Sequence, residues 1–212
     1  MRNSKPIIVF YLMLLLIPEN YIHSQEIRKL LQLVMPSVVK IETDEGQGSG
    51  VIINSQGYII TNFHVIADSY EYPERIKIKT NSKDEFTVKR IVDIDEDLDL
   101  AIIKTKTLEK EMPITIIDPD SIFIGDDVVC IGNPFGLEGY VTKGIISKYT
   151  TPFVFTSASI NPGNSGGALV NINGELVGIP TFTLTNTQNL NVAVCAKSIR
   201  FLLDYNKILY NE

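Results

Sequence analysis

A serine between glycines is the feature of this sequence that most directly suggests chemistry. Ser165 stands in the segment Asn161-Pro162-Gly163-Asn164-Ser165-Gly166-Gly167-Ala168-Leu169. A serine on a tight glycine turn can be presented beside backbone N–H groups that converge on one point, as the oxyanion of an acyl-transfer reaction requires. Gly163 and Ser165 are the expected donors. Taken alone, the segment is equally typical of a polar turn before a strand predicted over residues 167–171.

One histidine is placed to activate this serine. The chain has two, His23 and His64, and His23 belongs to a predicted N-terminal leader. An imidazole that activates Ser165 must therefore belong to His64. His64 follows an apolar run, at the end of a predicted strand, where a side chain can project into a cleft. A lone histidine at a strand end is more often structural, so the hypothesis depends on its combination with the serine turn.

The serine turn also matches the Gly-x-Ser-x-Gly nucleophile elbow of α/β-hydrolases, which predicts an esterase. In those enzymes the chain order is serine, acid, histidine, and the serine joins a strand to a helix. No histidine follows Ser165, and residues 167–174 have the pattern of a strand that enters a turn. The order histidine, acid, serine is instead that of chymotrypsin-like enzymes.

The acid that completes such a site should lie between His64 and Ser165. Five acids cluster there, and they are Asp93, Asp95, Glu96, Asp97 and Asp99. We select Asp99, because it immediately precedes a predicted buried strand and its carboxylate could orient the imidazole and stabilise the imidazolium. The other four have the pattern of a solvated acidic turn.

The same acidic segment could be mistaken for a calcium-binding loop. Asp93, Asp95 and Asp97 alternate as in an EF-hand, but the sixth position is Leu98 instead of glycine and the twelfth is Lys104 instead of glutamate. Both departures exclude an EF-hand. We predict no metal site.

The elements that must position these residues are short strands. A first set is predicted over residues 37–42, 50–54, 58–62, 75–79, 86–92 and 99–104, and a second over residues 122–124, 127–131, 141–147, 153–156, 167–171, 176–179 and 191–194. A short helix around residues 27–34 ends at Pro36, and a second, with Ile199, Leu202 and Leu203 facing inward, ends the chain. Two sets of strands predict an all-β protein of two packed barrels or sandwiches with a cleft between them.

The N-terminal segment has the pattern of a signal peptide. Arg2 and Lys5 precede the apolar residues 7–17, and Pro18 and a polar stretch follow. Eleven apolar residues are too few to cross a bilayer as a helix, so we expect cleavage near Ser24, export to the periplasm or the medium, and no permanent membrane span. Cleavage changes the net charge from −6 to −7, which argues against a nucleic-acid partner.

The cysteines, Cys130 and Cys195, both lie in apolar strand-like runs of the second set. Export would permit a disulfide between them. Two buried free thiols that pack as small hydrophobic groups are the favoured interpretation.

The sequence resembles the high-temperature-requirement (HtrA or Deg) branch of the trypsin-like serine proteases. The resemblance covers roughly residues 27–203 in five ordered motifs. They are Gly48-Ser49-Gly50-Val51-Ile52-Ile53, Thr61-Asn62-Phe63-His64-Val65, Asp99-Leu100-Ala101-Ile102, Gly132-Asn133-Pro134-Phe135-Gly136-Leu137 and Ile160-Asn161-Pro162-Gly163-Asn164-Ser165-Gly166-Gly167.

This resemblance implies a chymotrypsin-like protease domain over residues 25–212, with two six-stranded antiparallel barrels over about 36–106 and 122–195. It also implies a His64, Asp99, Ser165 triad and an oxyanion hole formed by the backbone of Gly163, Asn164 and Ser165. Protein or peptide substrates, no cofactor and a homotrimer are further implications.

The resemblance also places a specificity pocket near Ser159, Thr181, Phe182 and Thr183, with a preference for small aliphatic residues. Ser159 is not acidic, which argues against a requirement for lysine or arginine. Pro180 lies on the strand expected to pair with the substrate backbone, where it cannot donate a hydrogen bond.

Two departures from the resembled family concern regulation. Family members usually carry PDZ domains after the protease domain, and their regulatory loop is longer than residues 146–156. We therefore expect activity that added C-terminal peptides do not increase. The alternative functions are a peptide-binding or chaperone module with little turnover and, less favoured, an ester hydrolase.

Overall fold

The structure is a computed structural model that describes residues 19–132, 140–161, 163–183 and 190–211. Most of the predicted leader, Pro162 and most of the motif that starts at Gly132 lie outside the described residues. The first helix, α1 (Glu19–Val34), is longer than predicted and is followed by a 3₁₀ turn at Met35–Ser37. No helix in the described ranges has the length and apolar character needed to cross a membrane.

The first set of strands forms one antiparallel sheet. In the described ranges its strands are β1 (Val38–Glu42), β2 (Gln47–Ile52), β3 (Tyr58–Thr61), β4 (Lys77–Lys79), β5 (Glu85–Thr87), β6 (Arg90–Asp95) and β7 (Leu100–Lys104). Their order across the sheet is β5-β4-β1-β2-β3-β7-β6. A short helix, α2 (Phe63–Ile66), follows β3.

This sheet has seven strands rather than the predicted six, because the strand predicted over residues 86–92 is divided. Val88 donates its N–H to Ile76 beside β4, and Lys89 donates to Lys104 of β7. The chain therefore crosses from one edge of the sheet to the other between β5 and β6. The closed six-stranded barrel predicted over about residues 36–106 is therefore wrong: in the described residues this set is an open sheet whose edge strands, β5 and β6, do not pair with each other.

The second set forms a closed six-stranded barrel among the described residues. Its strands are β8 (Asp127–Gly132), β9 (Tyr140–Thr150), β10 (Phe153–Thr156), β11 (Ala168–Asn171), β12 (Leu176–Thr183) and β13 (Asn191–Cys195). The order β10-β13-β12-β11-β8-β9 closes because β9 and β10 also pair.

The strand predicted over residues 122–124 does not form. Asp126 donates its N–H to the carbonyl oxygen of Phe123 and accepts the N–H of Phe123 on its carboxylate, which makes the segment a turn. Phe123 and Ile124 are exposed, so their apolar character does not come from a place in the core.

Alternating side chains of the first sheet serve two cores. Ile60 and Ile102 join the core of the second barrel and α1, whereas Ile59 and Ile103 fill the inside of the first sheet. Successive side chains of a strand point to opposite faces, so one sheet can line both cores. The core that is shared with the second barrel extends to the C-terminal helix, α3 (Ala196–Tyr205). There Ile199, Leu202 and Leu203 are buried as predicted. The two units therefore pack face to face, and the ends of β3 and β7 meet the second barrel there.

Cys130 and Cys195 are free and fully buried in the second barrel, as favoured from the sequence.

Candidate active site

His64, just after the end of β3, and Asp99, just before the start of β7, are joined by two hydrogen bonds. The backbone N–H of His64 donates to Oδ1 of Asp99 at 2.8 Å, and Nδ1 of His64 lies 2.6 Å from Oδ2. One carboxylate therefore fixes both the backbone and the ring of the same residue. A ring that donates from Nδ1 leaves Nε2 as the proton acceptor, and the side chain of His64 is half exposed.

Asp99 is itself held in an uncommon backbone conformation. Its φ is 53°, in the left-handed region that aspartate tolerates better than most residues. Its N–H donates to Glu96, and its carbonyl oxygen accepts the N–H of Phe63 at 3.1 Å and the amide of Asn62 at 2.8 Å. The turn that starts at Glu96 and the start of the buried strand β7 thus aim the carboxylate at His64.

The structure separates Asp99 from the other acids of its cluster. Asp93 accepts from its neighbour Ile94 and from Asn206 of the C-terminal segment, and Asp95 accepts the N–H of Leu98. Asp99 is the acid that contacts His64 within the described residues.

The backbone of the serine turn is almost fully hydrogen-bonded. Asn164 donates its N–H to Asn161 at 2.9 Å and accepts from Gly167 at 2.9 Å. Gly166 donates its N–H to the carbonyl oxygen of Pro180 on β12 at 3.1 Å. The turn is therefore tied to its own start and to the neighbouring strand.

Ser49 of β2 completes these bonds from the first sheet. Its N–H donates to the carbonyl oxygen of Ser165 at 3.0 Å, and its hydroxyl donates to the carbonyl oxygen of Gly163 at 2.6 Å. Both bonds cross from the first sheet to the second barrel.

Two N–H groups of the turn remain available. Within the described residues, neither Gly163 nor Ser165 donates its N–H to an acceptor, whereas the N–H of Asn164 is used by the turn. Gly163, Ser165 and His64 line one cleft of about 560 Å³. Of the three residues predicted to form the oxyanion hole, two thus line this cleft and have an N–H without an acceptor among the described residues. Asn164 instead has a buried side chain that lies against Gly132.

Gly166 is required by the tight contact between the turn and the first sheet. Its φ is +78°, and a Cβ at this position would lie 2.3 Å from both the carbonyl oxygen of Ser49 and the hydroxyl of Thr61. Both contacts are far shorter than packed atoms allow. Any side chain would therefore push the serine turn away from β2.

The hydroxyl of Ser165 donates to the carbonyl oxygen of Thr181 at 3.4 Å. In this structure it is therefore directed toward β12. Transfer of its proton to Nε2 of His64, which borders the same cleft, requires a change of this hydrogen bond.

The residues predicted to form the specificity pocket lie on two neighbouring segments of the second barrel. The hydroxyl of Thr183 donates to the carbonyl oxygen of Ile160 at 3.2 Å, and this hydrogen bond joins the two segments. Ile160 is the residue after Ser159. Thr181 is buried and marks a break in the pairing of β12 with β13, while Phe182 is partly exposed and packs edge-to-face on Phe153.

Sequence reasoning gave no role to Ser49 or Asn62, although both stand in motifs that carried the resemblance. Asn62 is fully buried, and its side-chain amide contacts Thr181 of the second barrel in addition to Asp99. The available signal was their position in these motifs, Ser49 between two glycines and Asn62 two residues before His64. Across the described chain, no group of three or more histidines, cysteines or acids is arranged to hold a metal ion.

Comparison with known proteins agrees with this arrangement. A model of the trypsin-like peptidase domain matches residues 48–179. The periplasmic pH-dependent serine endoprotease DegQ of Escherichia coli is 44% identical over 150 residues, which cover 66% of this chain and 32% of DegQ. A probable periplasmic DegP-like serine endoprotease of Buchnera aphidicola subsp. Baizongia pistaciae is 42% identical over 182 residues, which cover 78% of this chain and 38% of the relative.

The crystal structure of the serine endoprotease from Yersinia pestis superposes with a TM-score of 0.77 at 35% identity, over 84% of this chain and 65% of that one. This chain spans about a third of the length of its curated relatives. The match of the domain model to more than half of the sequence, on a fold that pairs His64 with Asp99 beside Ser165, shows that this chain belongs to the family of trypsin-like peptidases.

Proposed function

We propose that this chain is a serine endopeptidase that hydrolyses peptide bonds through an acyl-enzyme. The observation that carries the proposal is one cleft lined by Ser165, by His64 in its pair with Asp99, and by Gly163, whose N–H has no acceptor among the described residues. A nucleophile, an oriented base and oxyanion donors are the parts that acyl transfer needs. The names of the relatives, which are endoproteases, support the same activity.

In the proposed mechanism, Ser165 attacks the carbonyl carbon of the scissile bond while Nε2 of His64 takes the hydroxyl proton. The negative charge on the former carbonyl oxygen is stabilised by the N–H groups of Gly163 and Ser165. When the intermediate collapses, the C–N bond breaks and His64 gives its proton to the leaving amine. Water then attacks the acyl-enzyme with His64 as base, which releases the acid and restores Ser165.

Asp99 has two tasks in this cycle. Its Oδ2 holds the ring of His64 with Nδ1 as donor, so Nε2 faces the reacting groups. Its negative charge, 2.6 Å from Nδ1, also stabilises the imidazolium that forms when His64 takes the proton.

The substrates that we propose are unfolded or exported proteins and their peptides, in the periplasm or the medium. The predicted leader and the periplasmic location in the names of the relatives support this location. The pocket near Ser159 carries no charge at that position and suits a small aliphatic residue. A homotrimer stays a prediction from the family resemblance.

A binding module without turnover is the less favoured function. In that case the oxyanion donors would not need to be kept free, yet the N–H groups of Gly163 and Ser165 have no acceptor among the described residues. An ester hydrolase is disfavoured by the chain order of the three residues.

The test is to label the wild type with a fluorophosphonate probe and to measure casein cleavage by wild type, Ser165→Ala and Ser147→Ala. Ser147 is an exposed serine of β9 and is the matched control. We expect labelling and cleavage by the wild type and Ser147→Ala, and a loss on the order of 10⁶ in turnover for Ser165→Ala. Labelling without cleavage of proteins would support the ester hydrolase, and absence of labelling would support the binding module.

A further inference from the structure

Ser49 is a buried polar residue in the middle of β2, the second strand of the first sheet. It is 0% exposed, and its carbonyl oxygen accepts the hydroxyl of Thr61 at 2.6 Å. Its hydroxyl and N–H both extend to the serine turn of the second barrel. Ser49 thus has a fixed place on one sheet and two bonds to the other unit.

The two carbonyl groups that Ser49 binds belong to Gly163 and Ser165, the residues whose N–H groups are available in the cleft. A peptide unit is planar, so a bond to its oxygen fixes the direction of its N–H as well. Ser49 therefore fixes the peptide units on both sides of the one that joins Asn164 to Ser165. The unit between them carries the N–H of Ser165, one of the two proposed oxyanion donors.

Resting on the proposed function, we infer that the hydroxyl of Ser49 is a positioning group for the oxyanion hole. Its hydrogen bond ties the carbonyl oxygen of Gly163 to strand β2 of the first sheet. This bond keeps the serine turn in the conformation in which the N–H groups of Gly163 and Ser165 can bind the substrate oxygen. It contacts no reacting atom. The described residues thus contain a support for the oxyanion turn that comes from the opposite unit.

The surroundings leave little freedom for this contact. A Cβ on Gly132 would lie 3.0 Å from the hydroxyl of Ser49 and 2.7 Å from Cα of Asn164. Without the hydroxyl, the carbonyl oxygen of Gly163 would lose the donor that it has in this structure. A buried carbonyl without a donor is costly, so the Gly163 peptide would shift to find another partner.

The test compares Ser49→Ala with Thr105→Val. Thr105, the residue after β7, is also 0% exposed, and its hydroxyl also donates to a backbone carbonyl, that of Thr87 at 3.1 Å, outside the catalytic cleft. For each variant, kcat and KM are measured with a peptide substrate. Inhibition is measured with a peptide boronate, which forms a tetrahedral anion on Ser165, and with the matching peptide carboxamide, which does not.

Loss of a complete oxyanion donor costs on the order of 10² to 10³ in kcat, so we expect Ser49→Ala, which only loosens the donors, to lose about tenfold to a hundredfold. The boronate should lose affinity by a similar factor, while KM and the affinity for the carboxamide change less than about threefold. Thr105→Val should lower Tm and leave all four values near those of the wild type. A merely structural role for Ser49 would lower Tm without this selective loss.

Equal losses of boronate and carboxamide affinity in Ser49→Ala, or a kcat equal to that of Thr105→Val, would overturn the inference. If Ser49→Ala does not fold, Ser49→Cys decides in its place, because a thiol is a weaker donor of similar size and should give a smaller loss of the same selectivity. An active wild type with an unaffected Ser49 variant refutes this inference alone. A wild type that neither hydrolyses peptides nor binds the boronate refutes the proposed function as well.

Discussion

Asn62, at the end of strand β3, donates its side-chain amide to the hydroxyl of Thr181 in the second barrel at 3.0 Å. The same nitrogen lies 2.8 Å from the carbonyl oxygen of Asp99. Since the carbonyl oxygen of Thr181 accepts the hydroxyl of Ser165, the residues of the acid and the nucleophile are connected through Asn62 and Thr181.

We predict that Asn62→Ala lowers kcat/KM by about tenfold to a hundredfold, because small displacements of catalytic groups are costly. Asn62→Asp should be lower still, since a carboxylate in place of the amide would face the carbonyl oxygen of Asp99. Steady-state kinetics and thermal unfolding provide the measurement.

The matched control is Asn54→Ala. Asn54 is also buried, and its amide donates to the carbonyl oxygen of Leu209 at 2.8 Å, on another part of the fold. It should lose stability but keep kcat/KM. Equal kinetic effects at Asn54 and Asn62 would contradict the specific role of the connection.

The carboxylate of Asp99 gives a second prediction. Asp99→Asn should lower kcat on the order of 10⁴-fold, because an amide can donate to Nδ1 and so hold the imidazole in the wrong tautomer. KM should change little. Asp97→Asn, two residues away in the same acidic segment, is the control and should retain wild-type kcat. A retained kcat in Asp99→Asn would show that another group orients His64.

Local patterns and chain order in the sequence were sufficient to pair His64 with Asp99. The position of Asp99 next to a buried strand, together with the single histidine outside the leader, indicated the pair that the structure brings within 2.6 Å. The strand pattern left barrels and sandwiches open, and the closed second barrel agrees with what the family resemblance implied. Catalysis by these residues stays a prediction.

Contacts between the two units could not be predicted in this way. The hydroxyl of Ser49 and the carbonyl oxygen of Gly163 are 114 residues apart in the chain, and Asn62 and Thr181 are 119 apart. The spacing of apolar residues within one strand or helix carries no information about contacts this far apart in the chain. The division between β5 and β6 was missed for a related reason, since the crossing depends on partners beside β4 and on β7, far from Val88 in the sequence.

The cleft beside the nucleophile predicts a preference on the leaving-group side of the substrate. Glu45 and Asp68 line this cleft beside His64 and Ser165. The residues of the predicted specificity pocket, which would bind the acyl side of the substrate, do not line it, so we assign the cleft to the leaving-group side. Neither acid has an ion-pair partner within the described ranges. Lysine or arginine just after the scissile bond should therefore be favoured over glutamate.

Peptides that differ only at that position should show a preference of up to about fivefold, the range of an exposed charge pair. Glu45→Lys should abolish it, because the new lysine offsets the charge of Asp68; Glu109→Lys should leave it unchanged, and added salt should reduce it by screening. The measurement is kcat/KM for each peptide at low and high ionic strength. An unchanged preference in Glu45→Lys would assign the selection to other residues.

The buried thiol of Cys130 predicts how stability depends on pH. Burial raises the pKa of the Cys130 thiol to about 12, and burial together with the neighbouring Cys195 raises the pKa of Tyr149 to about 12. In an unfolded chain these groups lose their protons near pH 8.5 and pH 10. Between those values and pH 12 the folded state holds more protons than the unfolded state, so the stability that both groups contribute is complete below pH 8.5 and decreases as the pH rises.

Denaturant unfolding between pH 8 and pH 11.5 measures this decrease directly. For Cys130 alone the slope can reach about 1.4 kcal/mol per pH unit. Cys130→Ala should be less stable at pH 8, because a buried sulfur is lost, but its free energy of unfolding should decrease less between pH 8.5 and pH 10. Above pH 10 the contribution of Tyr149 remains in both proteins. Cys130 is completely buried, so its thiol should ionise less readily in the folded barrel than in the unfolded chain. Parallel curves for the variant and the wild type below pH 10 would contradict this prediction.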